Sequence, residues 1–285
     1  MTYQEIIQRL SSVCGQSEAR AVTRLVLEER FGLSLTDIAF GKVSDFSREE
    51  AEELEKIIVR LENHEPVQYV LGWQWFCGHR FHVAPGALIP RPETEVLVDE
   101  CRVRDGGSRI LDIGTGSGCV AISLALRHGC RVDAIDISDD ALAIARGNAV
   151  SLGAEVAFRK ADILRWREWY GLGEEGKGRA GCGKYDIIVS NPPYICRKEA
   201  AGMERNVLDY EPDTALFVPD SDPLLFYRTI AEFGRESLSC DGMIAFEINR
   251  AYGNEVCRML SDFGYTGTEI IRDQFDNPRI VRCNR

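Results

Sequence analysis

Ile110-Leu111-Asp112-Ile113-Gly114-Thr115-Gly116-Ser117-Gly118 is the stretch that decides the fold. An apolar run rich in β-formers passes into a loop with glycine at positions 114, 116 and 118. A strand that exits through such a loop into a helix lets the backbone approach a ligand closely. Working outward, the alternation continues. The pattern predicts a strand at 109–113, a helix at about 118–128, a strand at 131–136 and a helix at 139–152. Strands near 155–159 and 185–190 follow, then a helix near 222–238, a strand at 243–248, a helix at 252–263 and two terminal strands. Strand–helix alternation of this kind implies an α/β fold, with a mostly parallel sheet covered by helices on both faces.

The N-terminal seventy residues read differently. Ile6, Ile7 and Leu10 share one helical face, as do Val22, Leu25 and Val26, and then Leu54, Ile57, Ile58 and Leu61. Ser47 and Glu50 form a capping-box pattern ahead of the third of these helices, and Pro66 breaks it. Residues 67–92 are dense in β-formers, with Trp73, Trp75, Phe76, Phe81 and Val83 punctuated by Gly78 and Gly86, which predicts a connecting hairpin. It ends in Ile89-Pro90-Arg91-Pro92-Glu93-Thr94, where two prolines stiffen the chain and Thr94 is placed to start the next helix. The expected partition is a helical domain at 1–72, a β-hairpin linker at 73–92 and a larger α/β domain at 93–285. Residues 171–183 hold six glycines and read as a flexible surface insertion. They lack the GK[ST] ending and the strand–loop–helix context of a phosphate loop.

Bulk composition narrows the function. The net charge of -11 and pI near 5.0 argue against a duplex-DNA binder, which needs a basic stripe to replace counterions, so no stable nucleic-acid binding is expected. Ten cysteines occur without a single CxxC pair. They read as small buried hydrophobes of a reducing compartment, and no metal is expected. The N-terminus MTYQEIIQRL has no signal-peptide apolar region, and no stretch approaches the roughly 20 apolar residues of a membrane span. A cytoplasmic monomer away from membranes is the expectation.

Acidic residues repeat at strand ends. Asp136 ends the second strand of the α/β region, where ribose hydroxyls are typically held, and Asp162 follows the third, where it could meet an adenine amino group. The alternative for either is helix capping, which Asp139 could also do. Taken with the glycine loop and Asn191, the ordered set of four strand ends favours a ligand site. A dinucleotide enzyme would place pyrophosphate over GxGxxG, whereas Gly114, Gly116 and Gly118 give GxGxG. That spacing resembles class I S-adenosylmethionine-dependent methyltransferases.

Tyr185-Asp186-Ile187-Ile188-Val189-Ser190 is an apolar strand ending in Asn191-Pro192-Pro193-Tyr194. Prolines donate no N–H, so their carbonyls project as acceptors from a rigid turn, and Asn191 adds a side-chain acceptor. An amide nitrogen is a poor nucleophile because its lone pair is delocalised. Acceptors from Asn191 and the Pro192 carbonyl can grip both of its N–H bonds and stabilise developing positive charge. Tyr194 can stack on the planar group. The alternative is a proline-rich strand exit with no chemistry.

Pro66-Val67-Gln68-Tyr69-Val70-Leu71-Gly72, Ile89-Pro90-Arg91-Pro92-Glu93-Thr94-Glu95, the glycine loop, Asn191 to Tyr194, and Tyr210-Glu211-Pro212 with Ala215-Leu216-Phe217 together resemble the PrmC/HemK family of peptide chain release factor glutamine N5-methyltransferases. The resemblance spans nearly the whole chain, and the segment at 89–94 is its most specific part. It implies a Rossmann-like class I methyltransferase sheet with a small N-terminal helical domain and a connecting β-hairpin. It also implies S-adenosylmethionine as cofactor and the glutamine of a release factor GGQ loop as substrate. By motif match, Gly114, Thr115, Gly116, Ser117, Gly118 and Asp136 would touch the cofactor, with Asp162 and Ile163 near adenine and Asn191 close by. Asn191, Pro192, Pro193 and Tyr194 would hold the glutamine amide, with Asn191, Pro192 and Tyr194 catalytic. Arg91 and Glu93 would shape the mouth, or equally form a structural ion pair.

The chain departs from the family pattern at three places. Ile163 stands where an aromatic is frequent, the 171–183 segment is long, and Asn249 follows Glu247-Ile248 where the family commonly has glycine. Other readings of the same turn are a ribosomal-protein glutamine methyltransferase and a nucleic-acid amino methyltransferase, the latter needing a basic groove and a base-flipping pocket. An inactive cofactor-binding scaffold ranks last.

Overall fold

The computed structural model describes residues 1–104, 106–170 and 185–285. The glycine-rich stretch 171–183, read above as an insertion, lies outside the described residues. Contacts divide the chain into two compact units. One is Met1–Trp73 with Met203–Tyr210, and the other is Gln74–Gly202 with Glu211–Arg285.

The first unit contains helices α1 (Tyr3–Cys14), α2 (Gln16–Phe31), α3 (Leu35–Ala39), α4 (Arg48–Glu62) and α5 (Val67–Leu71). Ile6, Ile7 and Leu10 from α1 and Leu54, Ile57, Ile58 and Leu61 from α4 enter one core. Helix α2 contributes Ala19, Val26 and Leu27, while Val22 only packs against that core from the side. Three helices begin with reciprocal capping boxes, at Thr2/Glu5, Ser34/Asp37 and Ser47/Glu50. Residues 67–71 open the β-former-rich stretch 67–92 but fall inside the expected helical domain at 1–72, and they are helical. Val67, Val70 and Leu71 pack on the helical core, Gly72 closes the helix in a left-handed conformation, and Arg60 donates to the Tyr69 and Val70 carbonyls at 3.2 and 3.4 Å. Burial and a cation at the helix C-terminus override the β-preference of the two valines.

In the second unit a hairpin joins β1 (Trp73–Phe76) to β2 (His79–His82). Its two connecting residues, Cys77 and Gly78, both have positive φ (47° and 76°), the twist that a two-residue hairpin loop requires. Chain order then gives α6 (Glu95–Asp99), β3 (Arg109–Ile113), α7 (Cys119–His128), β4 (Arg131–Asp136), α8 (Asp139–Leu152), β5 (Val156–Lys160) and β6 (Tyr185–Ser190). A short pair, β7 (Ile195–Cys196) and β8 (Phe217–Val218), precedes helix Leu225–Ser237. The unit closes with β9 (Leu238–Glu247), helix Gly253–Asp262, β10 (Thr266–Arg272) and β11 (Pro278–Asn284).

Seven strands form one sheet in the order β10-β11-β9-β6-β3-β4-β5. Pairings from β5 through β9 are parallel, and β11 runs antiparallel to both its neighbours. Period-2 alternation sends Ile110, Ile187 and Val189 into the core on one face and Leu111, Ile113 and Ile188 into the core on the other. Both faces are buried, which is why these strands read as continuous apolar runs. The chain leaves β3 towards β4 on one side and returns with β6 on the other. The crevice beyond the carboxyl ends of β3 and β6 is therefore the topological switch point of the sheet. Among the described residues, no helix is long and apolar enough to cross a membrane.

Candidate active site

The glycine loop is held from within and by the end of the neighbouring strand β4. The Gly114 and Thr115 N–H groups both donate to the Ile135 carbonyl, at 2.9 and 3.0 Å. Thr115 Oγ1 donates to Asp112 Oδ2 at 2.6 Å. Gly116 adopts φ 55°, and its N–H donates to Asp136 Oδ2 at 2.8 Å. Gly118 has φ 81°, and a Cβ there would lie 2.9 Å from Ile122 Cδ1 and 3.1 Å from Ala145 Cβ. A side chain is thus excluded both by backbone conformation and by the approach of α7 to α8. Asp112 is 2% exposed. Burial pushes its carboxyl up to about 7, against the Thr115 hydrogen bond, with Asp136 adding like-charge repulsion.

Asn148, fully buried on α8, anchors this loop to the hairpin. Its Nδ2 donates to the Ser117 carbonyl (2.9 Å) and the His82 carbonyl (3.0 Å), while its Oδ1 accepts from the His82 N–H (2.7 Å). Nothing in the local sequence signals this role, because the three segments meet only through tertiary packing.

Capping and ligand placement turn out to be compatible for the strand-end acids. Asp136 Oδ1 accepts from the Ser138 N–H at 2.9 Å, and Ser138, not Asp139, caps α8. Asp139 pairs with Lys160. Asp162 caps the turn Ile163–Arg165 by accepting from the Leu164 N–H at 2.9 Å. Both Asp136 and Asp162 still reach the wall of a cavity.

That cavity has a volume of about 310 Å³ and sits at the switch point. Gly114, Thr115, Gly116, Ser117, Asp136, Asp162, Ile163, Asn191, Pro192, Pro193 and Arg91 all line it. Gly118, Glu93 and Tyr194 stand off its wall. Its size and its apolar lining, with a few polar groups converging, are those of a small-molecule site. The residues fit S-adenosylmethionine. Ile135, Ile137 and Ile163 offer apolar surface for adenine, Asp136 offers carboxylate lone pairs for ribose hydroxyls, and the glycine loop leaves room for the methionyl part. Among the described residues, no group of three or more His, Cys, Asp or Glu is placed to hold a metal ion.

The Asn191–Tyr194 turn is held from far away in sequence. Ser190 Oγ donates to the Ile113 carbonyl at 2.6 Å, locking the end of β6 to the end of β3. Asn191 Nδ2 donates to Thr94 Oγ1 at 3.3 Å, and Thr94 Oγ1 donates to Glu247 Oε2 at 2.7 Å. Thr94 was expected to start a helix. It does precede α6, but its hydroxyl makes no capping bond. Tyr194 OH donates to Glu247 Oε1 at 3.2 Å. Asn249 Nδ2 donates to the Tyr194 carbonyl at 3.2 Å, a bond that glycine at this position could not make. Glu247 is 2% exposed. Burial raises its carboxyl above the usual carboxylate range, opposed by Thr94, Arg279 and Tyr194. Burial and the neighbouring Glu247 raise the Tyr194 phenol. Sequence reading missed this network, although an acid inside the apolar run Met243–Ile248 was its available signal.

Arg91 ion-pairs with Glu211, whose side chain is 1% exposed, and Glu211 Oε2 also accepts from the Ile89 N–H at 3.1 Å. The 89–94 segment and Glu211 are thereby pinned together. Arg91 pairs with Glu211 and not with Glu93.

Residues 104–275 match the family described as methyltransferase domain, and residues 2–72 match the PrmC N-terminal domain. A release factor glutamine methyltransferase of Bacteroides thetaiotaomicron is 47% identical, the match covering 98% of each chain. One of Flavobacterium psychrophilum is 37% identical over 98% of this chain and 96% of that one. In fold the chain is similar to the Thermus thermophilus 16S rRNA N2 G1207 methyltransferase solved with AdoMet and guanosine, at a TM-score of 0.52 and 15% identity, covering 75% of this chain and 49% of that chain. Glycine loop, strand-end acids, Asn-Pro-Pro-Tyr turn and full-length relatives converge, and the chain belongs to the release factor glutamine methyltransferase family.

Proposed function

We propose that this enzyme transfers a methyl group from S-adenosylmethionine to the side-chain amide nitrogen (N5) of the glutamine in the GGQ loop of peptide chain release factors. The observation that carries the reading is the Asn191–Pro192 turn on the wall of a cavity built to take that cofactor. Bound there, S-adenosylmethionine supplies an electrophilic methyl, so no enzyme nucleophile is needed. Gly114 to Ser117 and Asp136 hold the cofactor, with Asp162 and Ile163 flanking adenine, while Gly118 lets α7 and α8 approach behind the loop. Asn191 Oδ1 and the Pro192 carbonyl accept the two N–H bonds of the substrate amide and aim its nitrogen at the methyl. Both acceptors stabilise the positive charge that develops on nitrogen. Pro193 stiffens the turn, and Tyr194, expected to stack on the amide, stands behind the cavity wall and braces the turn through Glu247. Arg91 and Glu93 shape the mouth, Arg91 through its pairing with Glu211.

The substrate is a folded protein, the catalytic unit is a monomer working in the cytoplasm, and nucleic acid is not held stably, in keeping with a net charge of -11. The test is to incubate the enzyme and cofactor with a purified release factor and to map methylation by mass spectrometry. A single methyl on the GGQ glutamine, lost when that glutamine is changed to alanine, is the expected result. Methylation of a ribosomal protein or of RNA, with the release factor untouched, would overturn it.

A further inference from the structure

We propose that Thr94 and Glu247 set the orientation of the Asn191 amide, so that its oxygen and not its nitrogen faces the substrate. This rests on the reading above, in which Asn191 grips the glutamine amide. An asparagine amide has a donor end and an acceptor end of nearly the same shape. Turned the wrong way, it would present N–H bonds to the N–H bonds of the substrate. Nothing within the Asn-Pro-Pro-Tyr turn decides between the two orientations.

The buried chain beside it does. A carboxylate at Glu247 has acceptors only, and it takes the Thr94 hydroxyl proton at 2.7 Å. The one proton of Thr94 is then committed, so towards Asn191 its oxygen can only accept. The group that meets it at 3.3 Å is Asn191 Nδ2, which leaves Oδ1 for the cavity. Glu247 takes the Tyr194 hydroxyl on its other oxygen at 3.2 Å, so one carboxylate fixes the polarity of both polar side chains in the turn. Thr94 and Glu247 are 3% and 2% exposed, leaving little room for water to substitute for a missing partner. Thr94 and Glu247 are positioning residues, acting through Asn191.

The test uses the full-length enzyme with a release factor as substrate. Thr94→Val keeps the shape and removes the hydroxyl, and Thr94→Ser keeps the hydroxyl. Turnover, KM for the release factor, calorimetric affinity for S-adenosylmethionine and melting temperature are measured for each. Thr94→Val is expected to lower kcat by about 10- to 100-fold, with cofactor Kd changed less than about threefold. Thr94→Ser should stay within about threefold of the parent. Thr94→Val added to Asn191→Ala should cost little more, because the two act as a unit. Normal turnover in Thr94→Val, full additivity with Asn191→Ala, or a serine variant no better than valine would each overturn the inference. If Thr94→Val melts out, Glu247→Leu, which removes the acceptor that commits the Thr94 proton, takes its place with the same expected loss and the same cycle. Should the parent enzyme leave the GGQ glutamine unmodified, the functional reading itself falls. A parent that methylates it beside an unaffected Thr94→Val defeats only this inference.

Discussion

The ends of β3 and β6 meet at one cavity but are built in opposite ways. The loop after β3 is held mostly by neighbours: Thr115 bonds Asp112 three residues away and Gly116 bonds Asp136 twenty residues away, with Asn148 reaching the Ser117 carbonyl across 31. The turn after β6 is held by strangers: Asn191 meets Thr94 across 97 residues, Tyr194 meets Glu247 across 53, and Asn249 reaches the Tyr194 carbonyl across 55. A cofactor common to many enzymes can be held by a loop whose support comes mostly from the next strand and helix. A substrate amide that must be gripped in one orientation needs a shell drawn from the whole sheet.

The largest effect should come from the β6 side. If Asn191 grips the substrate amide as proposed, Asn191→Ala removes an acceptor that matters most as charge develops on nitrogen, so transfer should fall by about 100-fold or more, while cofactor affinity changes far less. Single-turnover rates and calorimetry separate the two. An equal loss of both would make Asn191 part of the cofactor pocket and erase the contrast between the strand ends.

Asp136→Ala tests the β3 side. It removes a carboxylate that accepts from Gly116 and Ser138 on the cavity wall. The expected outcome is cofactor binding weakened by about 10- to 100-fold, the range for lost hydrogen bonds to a charged group, with kcat at saturating cofactor nearly retained. A fall in kcat without a rise in cofactor Kd would mean that this strand end, too, shapes the reacting group.

The same contrast explains what was legible in the sequence. The parallel sheet, the glycine loop and the strand ends at Ile113, Asp136 and Ser190 could be read from short segments, because period-2 burial and local turns leave their mark within a few residues. The helix at Val67–Leu71 could not, because Arg60 and the helical core decide it from outside the segment. Thr94 was legible as a residue before a helix, but its hydroxyl answers to Glu247 on a distant strand. Asn249 looked like a departure from the family pattern, and only the fold reveals that its side chain holds the Tyr194 carbonyl.

A smaller effect probes how tightly the β3 end is packed. Gly118→Ala must adopt φ near 81° and place a methyl against Ile122 and Ala145. Ile122 Cδ1 can move, but Ala145 Cα, at 3.3 Å, belongs to the backbone of α8. A left-handed non-glycine residue costs about 1–3 kcal/mol, enough to lower the melting temperature by several degrees. An unchanged melting temperature would mean that α7 and α8 separate easily, and that the loop is less tightly held than its hydrogen bonds suggest.

An effect of similar size lies in the pH dependence of the same loop. The Asp112 carboxyl is pushed up to about 7 from an ordinary 3.8, chiefly by burial. The folded chain therefore keeps a proton that the unfolded chain has lost between roughly pH 4 and 7, and stability falls as pH rises through that window. The contribution is fully present below the unfolded value and gone above the folded one. Asp112→Asn removes it while keeping an acceptor for the Thr115 hydroxyl. Urea midpoints at pH 5.5, 6.5 and 7.5 should show the parent losing ground to the variant as pH rises, since all other titrating groups are shared and cancel. A constant difference across the three would place the Asp112 charge within reach of water.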